Sequence, residues 1–231
     1  MNLVKVGATV VIYRREHAYS SHPFITIARD GAWLLVFSHS IRQSVDVHPG
    51  SDPFFVDMVT RSTDQGATWE LPRVAPSYDW YGVEVAGIAT LSTGEVVLNQ
   101  LRWKFAPTEE ARRQWLAGDR SWYVSVPGWL GWGKSGDQDR DDWDQRAHHW
   151  VVASSEEDWA NHRYPFARGE DGTYVHISDD DGRTWSRSST IDCAPYISAY
   201  SRPGALELEN GHLILAMQSH DHDPTGAVFV V

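Results

Sequence analysis

The sequence has 231 residues, with 31 acidic against 20 basic side chains and a formal net charge of −11. A chain this acidic lacks the positive surface that nucleic acids and anionic membranes require, so neither is expected as a partner. Cys193 is the only cysteine, which excludes an internal disulfide. No apolar run approaches the roughly 18 residues of a membrane-spanning helix. Met1 to Tyr13 lacks the apolar segment of a signal peptide, so we expect a cytoplasmic location by default.

The first predicted elements are two strands joined by a turn at Gly31. Residues 23–30 lead into this glycine, and an apolar run at residues 32–37 follows it. The same arrangement recurs around Gly94 and Gly211, each eight residues after the start of its unit at 86 or 203. Apolar runs bounded by Asp-Gly, Thr-Gly or Asn-Gly are hairpin signals. The chain therefore contains three related hairpins.

An eight-residue pattern, S-x-D-x-G-x-T-W, follows two of these hairpins. Its fixed positions are Ser62, Asp64, Gly66, Thr68 and Trp69 in the first copy, and Ser178, Asp180, Gly182, Thr184 and Trp185 in the second. Serine and aspartate side chains accept hydrogen bonds from nearby backbone amides, and glycine adopts positive φ readily. Each copy therefore predicts a tight turn between two strands.

The repeated pattern resembles the Asp box, or BNR repeat, of the sialidase (neuraminidase) superfamily. In that family the box is the turn between the outer two strands of a β-propeller blade. The resemblance implies an all-β fold, a sialidase-like β-propeller of four-stranded blades. The three glycine hairpins would be the inner strand pairs, and each motif tryptophan would pack against a neighbouring blade.

The spacing of the motifs predicts where the chain departs from a regular propeller. Ser62 lies 31 residues after Gly31, but Ser178 lies 84 residues after Gly94, a difference of 53. We therefore predict a single partial propeller domain over 1–231, with about three blades in the chain. These are a blade at 20–76, a blade at 84–192 with an insertion at 106–172, and an unfinished blade at 200–231. Because open sheet edges need cover, the chain is either a fragment or closes as a homo-oligomer.

One face of such a propeller would collect the functional residues. The loops that leave the second strand of each blade, and those that enter the first, lie opposite the Asp-box turns. The resemblance places the sialidase active site there, with an arginine triad for the substrate carboxylate, an aspartate acid/base, and a tyrosine nucleophile paired with a glutamate. Planar guanidinium groups suit a carboxylate, and a carboxylic acid suits a glycosidic oxygen.

The resemblance extends to individual positions only in part. The catalytic candidates are Asp52 as acid/base, with Asp46 as its rival, and Glu84 beside Tyr81. The candidate substrate-binding residues are His22, His39, Arg42, Arg102, Trp103 and Arg202. Ser21 stands where the first arginine of the triad is expected. Glu84 and Arg102 are one residue out of register, so only a β-bulge would turn them toward the site.

These residues support three hypotheses about function. The first is a sialidase-like glycoside hydrolase that acts on a terminal acidic sugar. The second is a lyase for uronate polymers, in which histidine and tyrosine abstract a proton next to a carboxylate. The third is a non-catalytic propeller that binds glycan or protein, which the missing arginine at Ser21 favours. We expect no cofactor and no metal, because the histidines and aspartates at 219–223 lack metal-ligand spacing. The tryptophans of the insertion are most simply its own small core.

Overall fold

The computed structural model of the chain describes residues 9–41, 55–77, 81–127, 148–196, 199–219 and 227–230. This part of the chain is mostly β-strand, and every strand pairing in it is antiparallel. The strands form three successive blades. None of the described helices is long and apolar enough to cross a membrane.

Blade 1 is a four-stranded sheet with its strands in chain order. The strands are β1 (Ala18–Ile27), β2 (Trp33–Ile41), β3 (Val56–Ser62) and β4 (Arg73–Val74). Gly31, at φ +85°, forms the β1–β2 turn, and the Asp30 side chain accepts the Ala32 amide at 3.1 Å. Leu34 and Val36 alternate onto the face toward blade 2, where they are buried with Leu98 of that blade. Burial of this apolar face is what joins the two blades.

Blade 2 contains the inserted segment. Its elements are β5 (Tyr81–Thr90), β6 (Val96–Pro107), α1 (Thr108–Leu116), β7 (Trp122–Pro127), β8 (His148–Val152), α2 (Glu156–Ala160), β9 (Phe166–Ser178) and β10 (Arg187–Thr190). The four strands β5, β6, β9 and β10 form the blade, and the β7–β8 hairpin adds to the first residues of β9.

The insertion differs in extent from the expected 106–172. Strands β6 and β9 continue past the blade and stay paired as far as Pro107 opposite Phe166. The added elements therefore lie between these two residues. The extended part of β9 is also paired on its other edge, where Trp122 of the β7–β8 hairpin lies opposite Gly169. This second pairing stabilises the continuation of β6 and β9.

The insertion has a small hydrophobic core of its own. Trp115, Trp122 and Trp159 are buried there with Ala111 and Val124. The Trp115 indole donates a hydrogen bond to the Ala153 carbonyl at 2.8 Å. A buried indole with a partner for its N–H is a stable arrangement. All three tryptophans are structural because they are buried in this core, although only Trp115 makes this indole hydrogen bond. Trp129, Trp132 and Trp143 lie outside the described residues.

Blade 3 consists of short strands. They are β11 (Ala199–Tyr200), β12 (Leu206–Glu207), β13 (Leu213–Ile214), β14 (Ala216–Ser219) and β15 (Val228–Val230). The order β11-β14-β15 forms one sheet, and β12 and β13 form a hairpin. The backbones of blades 2 and 3 approach each other closely at Gly87 and Gly204. A Cβ on Gly87 would lie 2.3 Å from the Pro203 oxygen, and one on Gly204 would lie 2.4 Å from the Ile88 oxygen. Glycine is thus required at both positions for this contact.

The two S-x-D-x-G-x-T-W segments form the same turn. In the second copy, Ser178 Oγ donates to Asp180 Oδ1 at 2.8 Å and accepts the Gly182 amide at 2.9 Å. Asp180 also accepts the backbone amide and the hydroxyl of Thr184, both at 2.7 Å. The first copy repeats these bonds between Ser62, Asp64, Gly66 and Thr68. Each turn joins the third and fourth strands of its blade.

The turn at 178–185 also joins blade 2 to blade 1. A Cβ on Gly182 would lie 2.7 Å from the Leu34 side chain, and Trp185 packs against the core between the blades. The buried Arg61 donates to the Asp181 carbonyl at 3.1 Å and pairs with Asp30. This turn is therefore part of the interface between the blades.

Candidate functional site

The face opposite the two turns is formed by strand ends from all three blades. We call this the upper face; it comprises residues 18–22, 38–41, 81–84, 102–107 and 199–202. Antiparallel pairing brings these ends together, as Ala18 lies opposite Ile41 and Tyr81 opposite Lys104. Asp52 and Arg42 lie outside the described residues, as do the side chains of Tyr81 and Glu84.

Strands β1 and β5 carry a β-bulge at the same place on this face. In β1 the register shifts between Ser21 and Phe24, and in β5 it shifts between Glu84 and Gly87. In each strand two residues stand opposite one residue of the partner. A bulge changes the direction in which the neighbouring side chains point. Glu84 is one residue out of register with the family, so a bulge in β5 is the feature that the proposed role of Glu84 needs.

The two candidate histidines have different surroundings. His22 lies in the β1 bulge with φ +50°, and its Nδ1 is 2.8 Å from Ser21 Oγ. His39 is 5% exposed, with Nδ1 3.4 Å from Ser20 Oγ. Its ring meets the Tyr13 ring edge-on at 5.5 Å. Burial, and then the charge of Arg15, lower the pKa of His39, so it is neutral at pH 7.

Arg102 is held by two residues of β9. Its guanidinium donates to the Asp171 carboxylate and to the Tyr174 hydroxyl, and lies 3.5 Å from the centre of the Tyr174 ring. The Tyr174 hydroxyl in turn donates to Asp171 at 3.0 Å. Asp171 is the extra residue of a bulge in β9, because Arg102 pairs with Gly172 and the next residue of β6 pairs with Glu170. The bulge thus brings a carboxylate to the guanidinium.

The charge of Arg102 also affects a buried histidine. His176 is 2% exposed. Burial, and then the positive charge of Arg102, lower the pKa of His176 to about 4. His176 is therefore neutral at pH 7, which leaves Arg102 as the cation of this cluster.

Arg202 and Trp103 differ in exposure. Arg202 is exposed between β11 and β12, with its guanidinium 5.7 Å from the centre of the Tyr200 ring. Trp103 is only 2% exposed, because its ring packs edge-on with Tyr123 and the Arg168 guanidinium lies 4.1 Å from its centre. In this structure the ring of Trp103, a candidate substrate-binding residue, is part of the packing between β6 and the insertion.

A buried carboxylate joins blades 1 and 2 below the upper face. Asp57 is 1% exposed and accepts hydrogen bonds from Ser38 Oγ at 2.8 Å and from Gln100 Nε2 at 2.9 Å. A buried carboxylate is stable only with such partners. The side chains come from β2, β3 and β6, so Asp57 fixes the inner strands that carry the candidate residues.

A cavity of about 340 Å³ opens on the outer side of the upper face. It lies between β9 and the segment that follows β10, and its polar lining includes Ser121, Glu170, Asp171, Asp192, Cys193 and Tyr196. Asp171 and Glu170 were not predicted as site residues, because the motif spacing places both within the expected insertion at 106–172. Among the described residues, no group of three or more His, Cys, Asp or Glu side chains is arranged to hold a metal ion.

Comparison with known proteins finds likeness in structure alone. No protein-family model matches the chain, and no curated protein matches it. A solved structure of unknown function from Dyadobacter fermentans DSM 18053 aligns with a TM-score of 0.62 at 18% identity, over 96% of this chain and 52% of that one.

Two solved sialidases also align with most of the chain. The Hadza microbial sialidase Hz136 has a TM-score of 0.50 at 18% identity, over 88% of this chain and 33% of that one. The NanB sialidase from Streptococcus pneumoniae has a TM-score of 0.51 at 13% identity, over 96% and 45%. The fold is that of the sialidase β-propellers. The chain spans about half, or less, of the length of these structures.

Proposed function

We propose that this chain forms part of a sialidase-like glycoside hydrolase that removes a terminal acidic sugar. The observation that carries the proposal is the fold likeness to two solved sialidases over 88% and 96% of this chain. The two S-x-D-x-G-x-T-W turns, taken as Asp boxes, agree with it. A fold hosts more than one activity, so the chemistry must come from the residues of the upper face.

In this proposal the arginines of the upper face bind the sugar carboxylate. Arg42 follows β2 in the sequence, Arg102 lies within β6 and Arg202 follows β11, so the three come from successive blades. Asp171 and Tyr174 hold the Arg102 guanidinium in place. A guanidinium that is already fixed loses little conformational entropy when it binds a carboxylate, so the clamp favours binding.

The proposed chemistry is a double displacement. Asp52 protonates the leaving glycosidic oxygen while the Tyr81 oxygen attacks the anomeric carbon, and Glu84 accepts the tyrosine proton. Water then attacks the same carbon while Asp52 takes a proton from it, and Glu84 returns its proton to the tyrosine oxygen as the bond to the sugar breaks. Ser21 stands where the first arginine of the family is expected, so the carboxylate would be bound without that arginine.

The first test is hydrolysis of a fluorogenic sialoside by the full protein. Arg202→Ala should reduce kcat/KM by about 100-fold, because loss of a charge-assisted contact to the carboxylate costs on the order of 2–3 kcal/mol. Arg183→Ala is the matched control, since Arg183 is an exposed arginine on the opposite face, 51% exposed and 3.6 Å from Asp30. The control should retain the parent rate.

Two further measurements separate the alternatives. Asp52→Asn should abolish release of the sugar while the unfolding temperature is kept. A product that absorbs in the ultraviolet would identify a lyase instead. Binding of acidic glycans in calorimetry, with no product from any of them, would contradict the hydrolase and leave a carbohydrate-binding propeller.

A further inference from the structure

The cavity beside Arg102 is built from side chains that, apart from Asp171, have no part in the proposed chemistry. Its walls come from three parts of the chain: Ser121 from the insertion, residues 170–172 of β9, and residues 191–194 with Tyr196 after β10. A volume of about 340 Å³ is in the range of small-ligand pockets and is sufficient for one sugar ring.

The carboxylates of this cavity are held in position by the protein. Glu170 is 6% exposed, and its Oε1 accepts the Tyr123 hydroxyl at 2.8 Å. Arg102 and Tyr174 both bond the same oxygen of Asp171, Oδ2, which directs Oδ1 away from that pair. Asp192 accepts the Ala194 amide at 2.9 Å through its Oδ1. The bonds of Asp171 and Asp192 orient carboxylate acceptors at the cavity before any ligand arrives, whereas the Glu170 carboxylate is buried in its wall.

The lining favours a neutral ligand with many hydroxyl groups. The described residues that line the cavity include no Lys, Arg or His, whereas three of them are acidic. An anionic sugar is disfavoured by like charge. Sugar hydroxyls donate hydrogen bonds to carboxylates, and Ile191, Cys193 and Tyr196 offer apolar surface for the C–H face of a ring.

We propose that this cavity is a subsite for a neutral sugar ring, separate from the site for the acidic sugar. The inference rests on the proposed function in one respect, because the neutral ring would belong to the same acidic glycan. The Asp171 carboxylate joins the two sites, since it holds Arg102 on one side and lines the cavity on the other.

Cys193 provides a direct reporter of occupancy. It is the only cysteine of the chain, it is 8% exposed, and it lines the cavity. Burial raises the pKa of the Cys193 thiol, so the thiol reacts slowly and a bound ring would slow it further. The experiment follows the rate at which methyl methanethiolsulfonate modifies the full protein, with and without added sugar.

We expect saturating methyl glycosides of glucose, galactose or mannose to slow the modification by at least about threefold, and free sialic acid to have no such effect. Asp192→Asn should raise the concentration needed for protection about tenfold, because a hydrogen bond to a charged carboxylate becomes one to a neutral amide oxygen. Asp179→Asn is the matched control, because Asp179 is an exposed acidic residue of the opposite turn, 58% exposed. It should leave protection unchanged.

Three outcomes would overturn the subsite. The first is protection of Cys193 by calcium chloride or by propylammonium but by none of the sugars. The second is protection by sialic acid equal to that by the methyl glycosides, and the third is protection of Asp192→Asn at the same sugar concentration as the parent protein. The assay requires no hydrolysis, so it can succeed in a protein that proves inactive on sialosides. Conversely, active hydrolysis without protection would contradict the subsite and leave the hydrolase intact.

Discussion

Replacement of Asp180 by alanine tests how the 178–185 turn supports the fold. The change removes four hydrogen bonds: those from the Thr184 amide and hydroxyl at 2.7 Å, from Ser178 Oγ at 2.8 Å, and from the Arg183 amide at 3.1 Å. The same turn places Gly182 against Leu34 of blade 1. Loss of the turn geometry therefore weakens the contact between two blades as well as the turn itself.

The expected loss in the free energy of unfolding is about 1–2 kcal/mol. Hydrogen bonds to a charged group contribute more than this when buried, but solvent screens a turn at the surface. For a chain of this size the change corresponds to a fall in Tm of roughly 4 °C. Asp64→Ala should cost less, because Gly66 packs against Trp33 of its own blade.

The loss should depend on pH. Desolvation raises the pKa of Asp180, but hydrogen bonds, chiefly from Thr184, outweigh it and lower that pKa to about 2, against an ordinary 3.8. A lowered carboxyl pKa stabilises the folded state above the ordinary value, and the gain disappears as pH falls toward 2. Urea unfolding of the parent and Asp180→Ala at pH 7, 5 and 3 measures the difference. Equal stability at pH 7, or Asp64→Ala as the more damaging change, would refute the reasoning.

Three other predictions concern stability and assembly. Arg61→Met should lower the free energy of unfolding by roughly 3 kcal/mol in urea titrations. The substitution leaves the Asp30 carboxylate and the Asp181 carbonyl without the buried guanidinium that they contact. A loss below about 0.5 kcal/mol would contradict this prediction. Because the pKa of His176 is lowered to about 4, stability should fall as pH decreases from 6.5 to 4, and a His176→Asn variant should show a flatter pH profile. Ile27 on β1 is 57% exposed and Val228 on β15 is 81% exposed, so we expect the chain to self-associate through these strands. Sedimentation velocity should show the association, and Ile27→Lys should weaken it. A monomer at every concentration would contradict the prediction.

Local signals in the sequence were sufficient for the turns and inner hairpins. Gly31 adopts φ +85°, Gly94 +91° and Gly211 +80°, as their hairpin positions require. Such turns depend on a few consecutive residues, so the pattern of Gly, Asp and Asn is enough to predict them. The all-β fold follows from the same repeats.

Contacts between residues that are far apart in the chain could not be predicted from the sequence. Arg102 meets Asp171 across 69 positions, and Tyr123 meets Glu170 across 47. Neither pairing leaves a periodic signal, because it depends on how far β6 and β9 continue together. Trp103 illustrates the same limit: the sequence shows an aromatic residue at a strand end, but only the packing of the insertion buries it.

The bulges in β1 and β5 place residues at corresponding positions of the upper face in blades 1 and 2. Each bulge begins ten residues before its turn glycine, at Ser21 before Gly31 and at Glu84 before Gly94. Ser21 and Glu84 therefore hold the same place in successive blades, although one is a hydroxyl and the other a carboxylic acid. His22, in the β1 bulge, has a positive φ, which is uncommon for a residue with a Cβ. The repeated backbone thus supplies equivalent positions on the upper face, and a different side chain stands at that position in each of the two blades.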